Sequence, residues 1–362
     1  MSVAFRLMGR RAENGDRCSP VLRIALLVVL AASPANAVEP PVQEDRELSQ
    51  LIEALESRDA AVRQDAIGRL ERMGPAARLA APTLAKCLSD PDSGVRVGAA
   101  YALARVGPDP SAAPGLARLV RTEGSGSEVA AEALVMVGAQ AVPAVVPLLT
   151  LERDASNQAK NGVWQRAAEI LGRIGPPALP ALVKALRDPN RRAAAAIAIG
   201  DIGPDAARAV PTLVSVADPN DFASLFVYEA LGKIGPRAAA GVPALAAGTK
   251  AADPGIRNDA AQALGKIGPR AVAAVGALDE MLRGERETHE RREQVSVSGE
   301  LVALHALAAI GPGASSALPE IRKALQHRNS TVREAAQAAI AKIEGATASS
   351  PSPTTTPVET SQ

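Results

Sequence analysis

Aromatic side chains, histidines and cysteines are scarce in this chain. Of its 362 residues only 2% are Phe, Trp or Tyr, three are His and two are Cys. The sequence contains no Gly-rich phosphate loop, no G-x-S-x-G elbow and no C-x-x-C pair. Its three histidines, His289, His305 and His327, include a single His-Glu pair, His289-Glu290, and one pair cannot complete a metal site. We therefore expect no catalytic residue, no metal and no cofactor.

The first 37 residues have the three parts of a secretory signal peptide. Five arginines accompany an apolar stretch, IALLVVLAA at residues 24–32, and Ala35-Asn36-Ala37 is an A-x-A cleavage site. An uncleaved anchor is the alternative, but the apolar stretch is too short to favour it. We also find no apolar run after residue 40 that is long enough to span a bilayer. The sequence thus predicts an exported protein, periplasmic or secreted after cleavage near Ala37, without a membrane span in the mature chain.

No excess of positive charge remains once this leader is set aside. The leader holds five of the 40 basic residues and two of the 39 acidic ones, which leaves 35 against 37 and a net charge near −2. Such a chain has no basic excess to bind a phosphate backbone, and this disfavours a nucleic-acid binder. Cys87 is the one cysteine outside the leader, so an internal disulfide is excluded.

The chain instead repeats itself. Residues 229–245 read EALGKIGPRAAAGVPAL and residues 262–278 read QALGKIGPRAVAAVGAL. Gly-Pro pairs recur 28 to 43 residues apart, with Gly138 standing where one proline is missing; the pairs begin at Gly74, Gly107, Gly175, Gly203, Gly235, Gly268 and Gly311. A period of this size is typical of solenoids and other helical arrays.

Each unit predicts a helical hairpin. In residues 90–107, DPDSGVRVGAAYALARVG, an apolar stripe of helical period includes Val95 and Leu103. Asp92 can cap the helix, Gly107 can end it with a left-handed residue, and proline prevents its continuation. A second proline often stands in the first turn of the next helix, where it is tolerated. One such hairpin buries too little surface to be stable alone, so the units must stack.

The motif D-P-x-x-x-V-R-x-x-A-A-x-A-L-G-x-I-G-P resembles the HEAT repeat, in the short bacterial form also seen in phycobilin lyases. Asp90-Pro91, Asp253-Pro254 and residues 261–269 carry it best. The resemblance implies an all-α fold, a right-handed α-solenoid of about nine helical hairpins over residues 44–345. A short linker, 38–43, would precede it, and residues 346–362, rich in Ser, Thr and Pro, are predicted to be a disordered tail.

In HEAT repeats, an Asp or Asn at the turn and an Arg on the second helix form a ladder between units. The resemblance implies the pairs Asp59–Arg63, Asp92–Arg96, Asp253–Arg257 and Asn329–Arg333. Other units have Ser127, Trp164, Ser224 or Glu300 at the Arg position, so we expect a discontinuous ladder. Trp164 is interpreted as filling space in a lengthened repeat, with a binding hot spot as the alternative. Phe222, Phe226 and Tyr228 are interpreted as packing between repeats.

The resemblance also implies that the second helix of each hairpin lines a concave face. The stripe opposite the core on these helices is predicted to face solvent. Counted from the turn glycines, the stripe comprises Gln64 and Gly68, Val97 and Tyr101, Glu128 and Glu132, Gln165 and Glu169, Ala193 and Ile197, Leu225 and Glu229, Asn258 and Gln262, Leu301 and His305, and Glu334 and Ala338.

Five of these residues form the candidate binding site: Tyr101, Glu128, Glu132, Glu169 and Ile197. Three like charges edged by apolar groups suit a basic, extended peptide, with charge setting the rate of association. The most direct interpretation is a non-catalytic scaffold that binds a protein or an extended peptide. A phycobilin-lyase-like enzyme or chromophore chaperone is one alternative, and a HEAT-like nucleic-acid binder is another.

Overall fold

The computed structural model describes residues 41–122, 124–150, 162–291 and 298–345. The chain separates into two compact units, residues 1–50 and residues 51–362. Helix α1 begins at Pro41, inside the segment predicted as a linker, and runs through the boundary to Ala54. The predicted leader, Cys18 and the predicted tail lie outside the described residues.

Every regular element in the described part of the chain is helical, and its eighteen α-helices alternate as the first and second helices of nine hairpins. The first helices are α1 (Pro41–Ala54), α3 (Ala81–Cys87), α5 (Ala113–Val120), α7 (Val142–Val145), α9 (Leu179–Ala185), α11 (Val210–Val216), α13 (Val242–Gly248), α15 (Val275–Arg291) and α17 (Leu318–Ala324). The second helices are α2 (Ala60–Met73), α4 (Ser93–Val106), α6 (Ser125–Val137), α8 (Val163–Ile174), α10 (Arg192–Ile202), α12 (Ser224–Ile234), α14 (Pro254–Ile267), α16 (Ser298–Ile310) and α18 (Ser330–Ile343).

The turn glycines act as predicted. Eight of them end a second helix with a positive φ, between 56° at Gly74 and 101° at Gly107. Most combine this φ with a ψ near −140°, as Gly235 does at 68° and −139°, and only glycine reaches this region without strain. The following segment is not one continuous helix, however. A 3₁₀ stretch such as Gly235–Gly241 comes first, and the α-helix starts only after it.

Within residues 51–345, the core lies between the two helices of a hairpin and between neighbouring hairpins. The residue four positions before each turn glycine is a fully buried aliphatic one in eight successive second helices: Leu70, Leu103, Leu134, Leu171, Ile199, Leu231, Leu264 and Leu307. Within residues 51–345, each second helix packs against the second helix of the next hairpin. This is the nearest-neighbour packing of an α-solenoid.

Glycine brings the middle second helices close together. A methyl group added at Gly200 would lie 3.1 Å from the Ala230 Cα atom, and one added at Gly232 would lie 3.0 Å from the Ala263 Cα atom. Gly172 and Gly265 occupy the same position in their hairpins and are equally crowded. Neighbouring backbones therefore come close enough for the charged side chains of adjacent helices to meet.

The arginine ladder exists, but its predicted pairs are wrong. Asp59, Asp92, Asp253 and Asn329 each accept a hydrogen bond from a backbone N–H in the first turn of their own helix, which occupies them as caps. The arginines reach elsewhere: Arg63 donates to the Ser57 carbonyl oxygen and, at 2.7 Å, to Asp90 of the next turn.

Corresponding contacts recur along the chain. Arg192 donates to Asp221 at 2.7 Å and Arg257 donates to Glu285 at 2.8 Å, each across to the next hairpin. The ladder lacks its arginine at Ser127 and Ser224, as predicted. Ser224 accepts a hydrogen bond from the Asp218 N–H of its own loop. Ser127 donates to the Val120 carbonyl oxygen and also accepts from Arg166 of the next hairpin. The ladder thus fixes loop backbone within a hairpin and the register between hairpins.

Cys87 is buried in α3 as a free thiol. Burial raises its pKa to about 11, with the nearby Asp90 carboxylate acting in the same direction. The thiol is therefore neutral and poorly nucleophilic near pH 7.

Candidate functional site

The predicted stripe on the second helices is accessible. All eighteen of its positions are exposed or half-buried. Four of its carboxylates lie on α6, α8 and α12, and α10 packs between α8 and α12. The five candidate residues lie on four neighbouring helices, with Tyr101 on α4, Glu128 and Glu132 on α6, Glu169 on α8 and Ile197 on α10.

Glu132 is not an uncompensated charge. Arg173 of α8 donates two hydrogen bonds to its carboxylate, at 2.5 and 2.7 Å, and also lies 3.9 Å from Glu169. This bidentate contact lowers the pKa of Glu132 and raises that of Arg173. The three like charges predicted on adjacent helices are therefore partly compensated: Arg173 lies near Glu132 and Glu169, whereas Glu128 is exposed and has no ion pair among the described residues.

The sequence analysis did not predict a second cluster of charged side chains, which joins α10 and α12 and consists of one lysine and two carboxylates. Lys233 of α12 lies 2.9 Å from Asp201 of α10 and 2.9 Å from Glu229 on its own helix. Burial opposes the charge of Lys233, but its hydrogen bonds to the two carboxylates outweigh burial and raise its pKa. The spacing of Glu229 and Lys233, four residues apart, was the available sequence signal.

Together these groups define what we call the acidic strip. On α6, α8, α10 and α12 its charged members are five carboxylates and two cations, a net charge of −3: Glu128, Glu132, Glu169, Asp201 and Glu229 against Arg173 and Lys233. On the next second helix, α14, burial raises the pKa of Asp259, the nearby Glu229 carboxylate adds to this effect, and Lys266 opposes it.

An aromatic cleft borders the acidic strip at the start of the same helices. It encloses about 330 Å³ and is lined by Leu149, Trp164, Pro189, Asn190, Ala193, Ala194, Asp221, Phe222, Ala223 and Phe226. The Phe222 and Phe226 rings meet edge to face, with centroids 6.2 Å apart. Ala193 belongs to both the stripe and the cleft, so the two surfaces are continuous.

The cleft corrects one aromatic assignment. Tyr228 is fully buried, as packing requires, and Trp164 is half-buried. Phe222, interpreted as packing between repeats, is 67% exposed. Its position in the loop before α12, rather than inside the helix, explains the difference.

A larger depression of 490 Å³ lies between the first helices of hairpins 3 and 4. Its lining includes four helix-starting prolines, Pro110, Pro114, Pro143 and Pro147, and two arginines, Arg118 and Arg121. No aromatic ring or carboxylate is among its described lining residues, so it offers little with which to select a ligand.

No group of three or more His, Cys, Asp or Glu residues within the described ranges could hold a metal ion. His305 is exposed on the stripe, and the buried His327 has its Nε2 atom 3.6 Å from Glu300. The side chains of His289 and Glu290 lie outside the described part.

Two described stretches, Gly126–Leu149 and Ser298–Ala324, are long and apolar enough by composition to cross a membrane. This corrects the expectation that no such run follows residue 40. Each stretch contains a positive-φ glycine, Gly138 or Gly311, at which a second helix ends and the next hairpin begins.

The stacked hairpins with their helix-ending glycines define an α-solenoid. The family model for HEAT repeats matches residues 48–136 and 142–225. Over these residues the chain consists of HEAT repeats. No curated protein matches it.

Solved structures with similar folds include two much larger natural proteins and an engineered one. A crystal structure of Kap121p is 15% identical with a TM-score of 0.47, the match covering 91% of this chain and 44% of that one. A crystal structure of importin beta is 17% identical with a TM-score of 0.48, covering 91% and 53%. An engineered protein is 19% identical with a TM-score of 0.28, covering 83% and 97%. This chain therefore spans about half the length of the natural proteins, and these scores carry no functional conclusion.

Proposed function

We propose that this chain is an exported, non-catalytic scaffold that binds an extended, basic segment of a partner protein along the acidic strip. The observation that carries the proposal is the net charge of −3 on four adjacent helices, on a surface open to solvent. Arg173 and Lys233 hold four of the five carboxylates in place, so these carboxylates are positioned for binding before a partner arrives. The same charge opposes a phosphate backbone, which weighs against the nucleic-acid alternative.

The test removes charge without breaking the contacts between helices. We expect the triple variant Glu128→Gln, Glu169→Gln, Glu229→Gln to remain folded, because the Glu132–Arg173 and Asp201–Lys233 pairs stay intact. A basic peptide selected from a random display library on the native protein serves as the probe, with affinity measured by fluorescence anisotropy at low and high salt. The triple variant is expected to bind it at least about tenfold more weakly and with a shallower salt dependence.

A matched control carries the same change of charge elsewhere. Glu53→Gln, Glu56→Gln and Glu280→Gln alter three exposed residues outside the acidic strip, and this variant is expected to bind like the parent. Equal loss of affinity in both variants would show that overall charge, not the acidic strip, governs binding. Unchanged affinity in the strip variant would place the partner on another surface.

Export rests on the leader, which lies outside the described residues. We propose cleavage after Ala37, so the mature protein is expected to begin at Val38. N-terminal sequencing of the protein from its native source checks this, and an intact leader on a cytosolic protein would contradict it.

A further inference from the structure

The aromatic cleft concentrates a side-chain type that the rest of the chain almost lacks. The sequence contains one Trp and three Phe. Trp164 and two of the three phenylalanines, Phe222 and Phe226, line this one cleft, and the third, Phe5, belongs to the leader. Leaving Phe222 exposed costs the isolated protein hydrophobic stabilisation, because its ring is one of the largest apolar groups available for burial.

The one charged side chain that lines the cleft is compensated. Its one carboxylate, Asp221, is held by Arg192 at 2.7 Å. An apolar group can therefore enter without leaving a charge unpaired. A volume of about 330 Å³ lies at the lower end of ligand pockets and suits one large side chain rather than a cofactor. The exposed Asn190 at the rim supplies an amide that can bond to a peptide backbone.

The cleft and the acidic strip lie within reach of one extended chain. Trp164 precedes Glu169 by five residues on α8, about 7.5 Å along the helix axis at ~1.5 Å per residue. Phe226 precedes Glu229 by three residues on α12, about 4.5 Å by the same rise. An extended peptide advances about 3.3 Å per residue, so between one and three residues span these distances.

We infer that the cleft is the anchor pocket for the partner segment and takes a large apolar side chain that has a Lys or Arg one to three positions away. This inference rests on the proposed function, because the basic neighbour is assigned by the acidic strip. Charge on the strip attracts the segment, and the cleft selects among basic segments by burying the anchor.

Two synthetic peptides test it with the full mature chain. One has a single Phe between pairs of lysines, and the other has Ala in place of that Phe. Trp164, the chain's one tryptophan, reports binding at the cleft directly by its fluorescence. The Phe peptide is expected to shift Trp164 emission to shorter wavelength and to bind at least about tenfold more tightly than the Ala peptide.

In the Phe222→Ala variant, the Phe peptide and the Ala peptide should bind with equal affinity. The affinity of both peptides should still fall as the salt concentration rises. Phe222 is mostly exposed, so the variant should fold normally. The matched control is Leu79→Ala. Leu79 is also apolar and is 77% exposed, but it lies on the 3₁₀ stretch before α3, so this variant should still bind the Phe peptide more tightly than the Ala peptide.

The outcomes separate the two proposals. Equal, salt-dependent binding of both peptides to the parent would overturn the anchor pocket and leave the acidic strip. A preference for Phe that survives in Phe222→Ala would also overturn the pocket. Binding of neither peptide would overturn the proposed function and the pocket with it.

Discussion

Leu231→Ala should lower the free energy of unfolding by about 2–5 kcal/mol, because it empties a fully buried site in the middle of the array. An aliphatic residue fills the position of Leu231 in eight successive second helices. The helix that carries Leu231, α12, packs against α10 on one side and α14 on the other. Neighbouring side chains can collapse only partly into the space, since each is already held by its own repeat. Thermal and urea denaturation followed by circular dichroism measure the loss.

Leu79→Ala is the matched control for this prediction. It removes the same atoms from a side chain that is 77% exposed, so its unfolding free energy should change by less than about 0.5 kcal/mol. Similar losses for the two variants would show that stability does not depend on the core between repeats.

Gly232→Leu should be at least as damaging, with an expected loss of about 3 kcal/mol or more. A first side-chain carbon at Gly232 already lies 3.0 Å from the Ala263 Cα atom and 3.2 Å from the Lys266 Cδ atom. A leucine there must separate α12 from α14, which weakens the contact between hairpins 6 and 7. The same denaturation experiments, together with the yield of folded protein, check this result.

Gly276→Leu makes the same substitution where there is room. No heavy atom lies within 4 Å of a carbon added at Gly276, which is exposed in the first turn of α15. Because Leu has a better helix propensity than Gly, this variant should be neutral or slightly stabilised. A destabilised Gly276→Leu would mean that the side chain itself, and not helix separation, explains the loss at Gly232.

The periodicity of the sequence predicted the parts of the fold that each hairpin determines locally. Turn glycines such as Gly235 and the solvent-facing stripe depend on spacing within one helix, and both can be predicted from the residue pattern. The interval between Gly and the next α-helix could not be predicted in detail, because Gly-Pro is compatible with either an α-helix or a 3₁₀ start.

Contacts between hairpins were the harder part. Glu132 meets Arg173 across 41 residues only because α6 and α8 pack side by side, and the aromatic cleft joins residues of hairpins 4, 5 and 6. The predicted pairs of the arginine ladder were wrong for a related reason. A turn Asp or Asn can accept a hydrogen bond from an arginine or from a nearby backbone N–H, and here the backbone N–H is the donor. Distances between neighbouring helices decide such contacts, and one sequence does not contain them explicitly.

The two near-identical segments, 229–245 and 262–278, have a consequence for how such a chain can change length. Both cross the same boundary, from the end of one second helix through a turn glycine and its proline into the next first helix. Joining one copy to the other removes or adds 33 residues, one whole hairpin, and leaves a normal boundary at the junction. The number of hairpins can therefore change by one at a time, and no partial hairpin is left at the junction. A related chain with eight or ten hairpins would present a shorter or longer surface built from the same repeats.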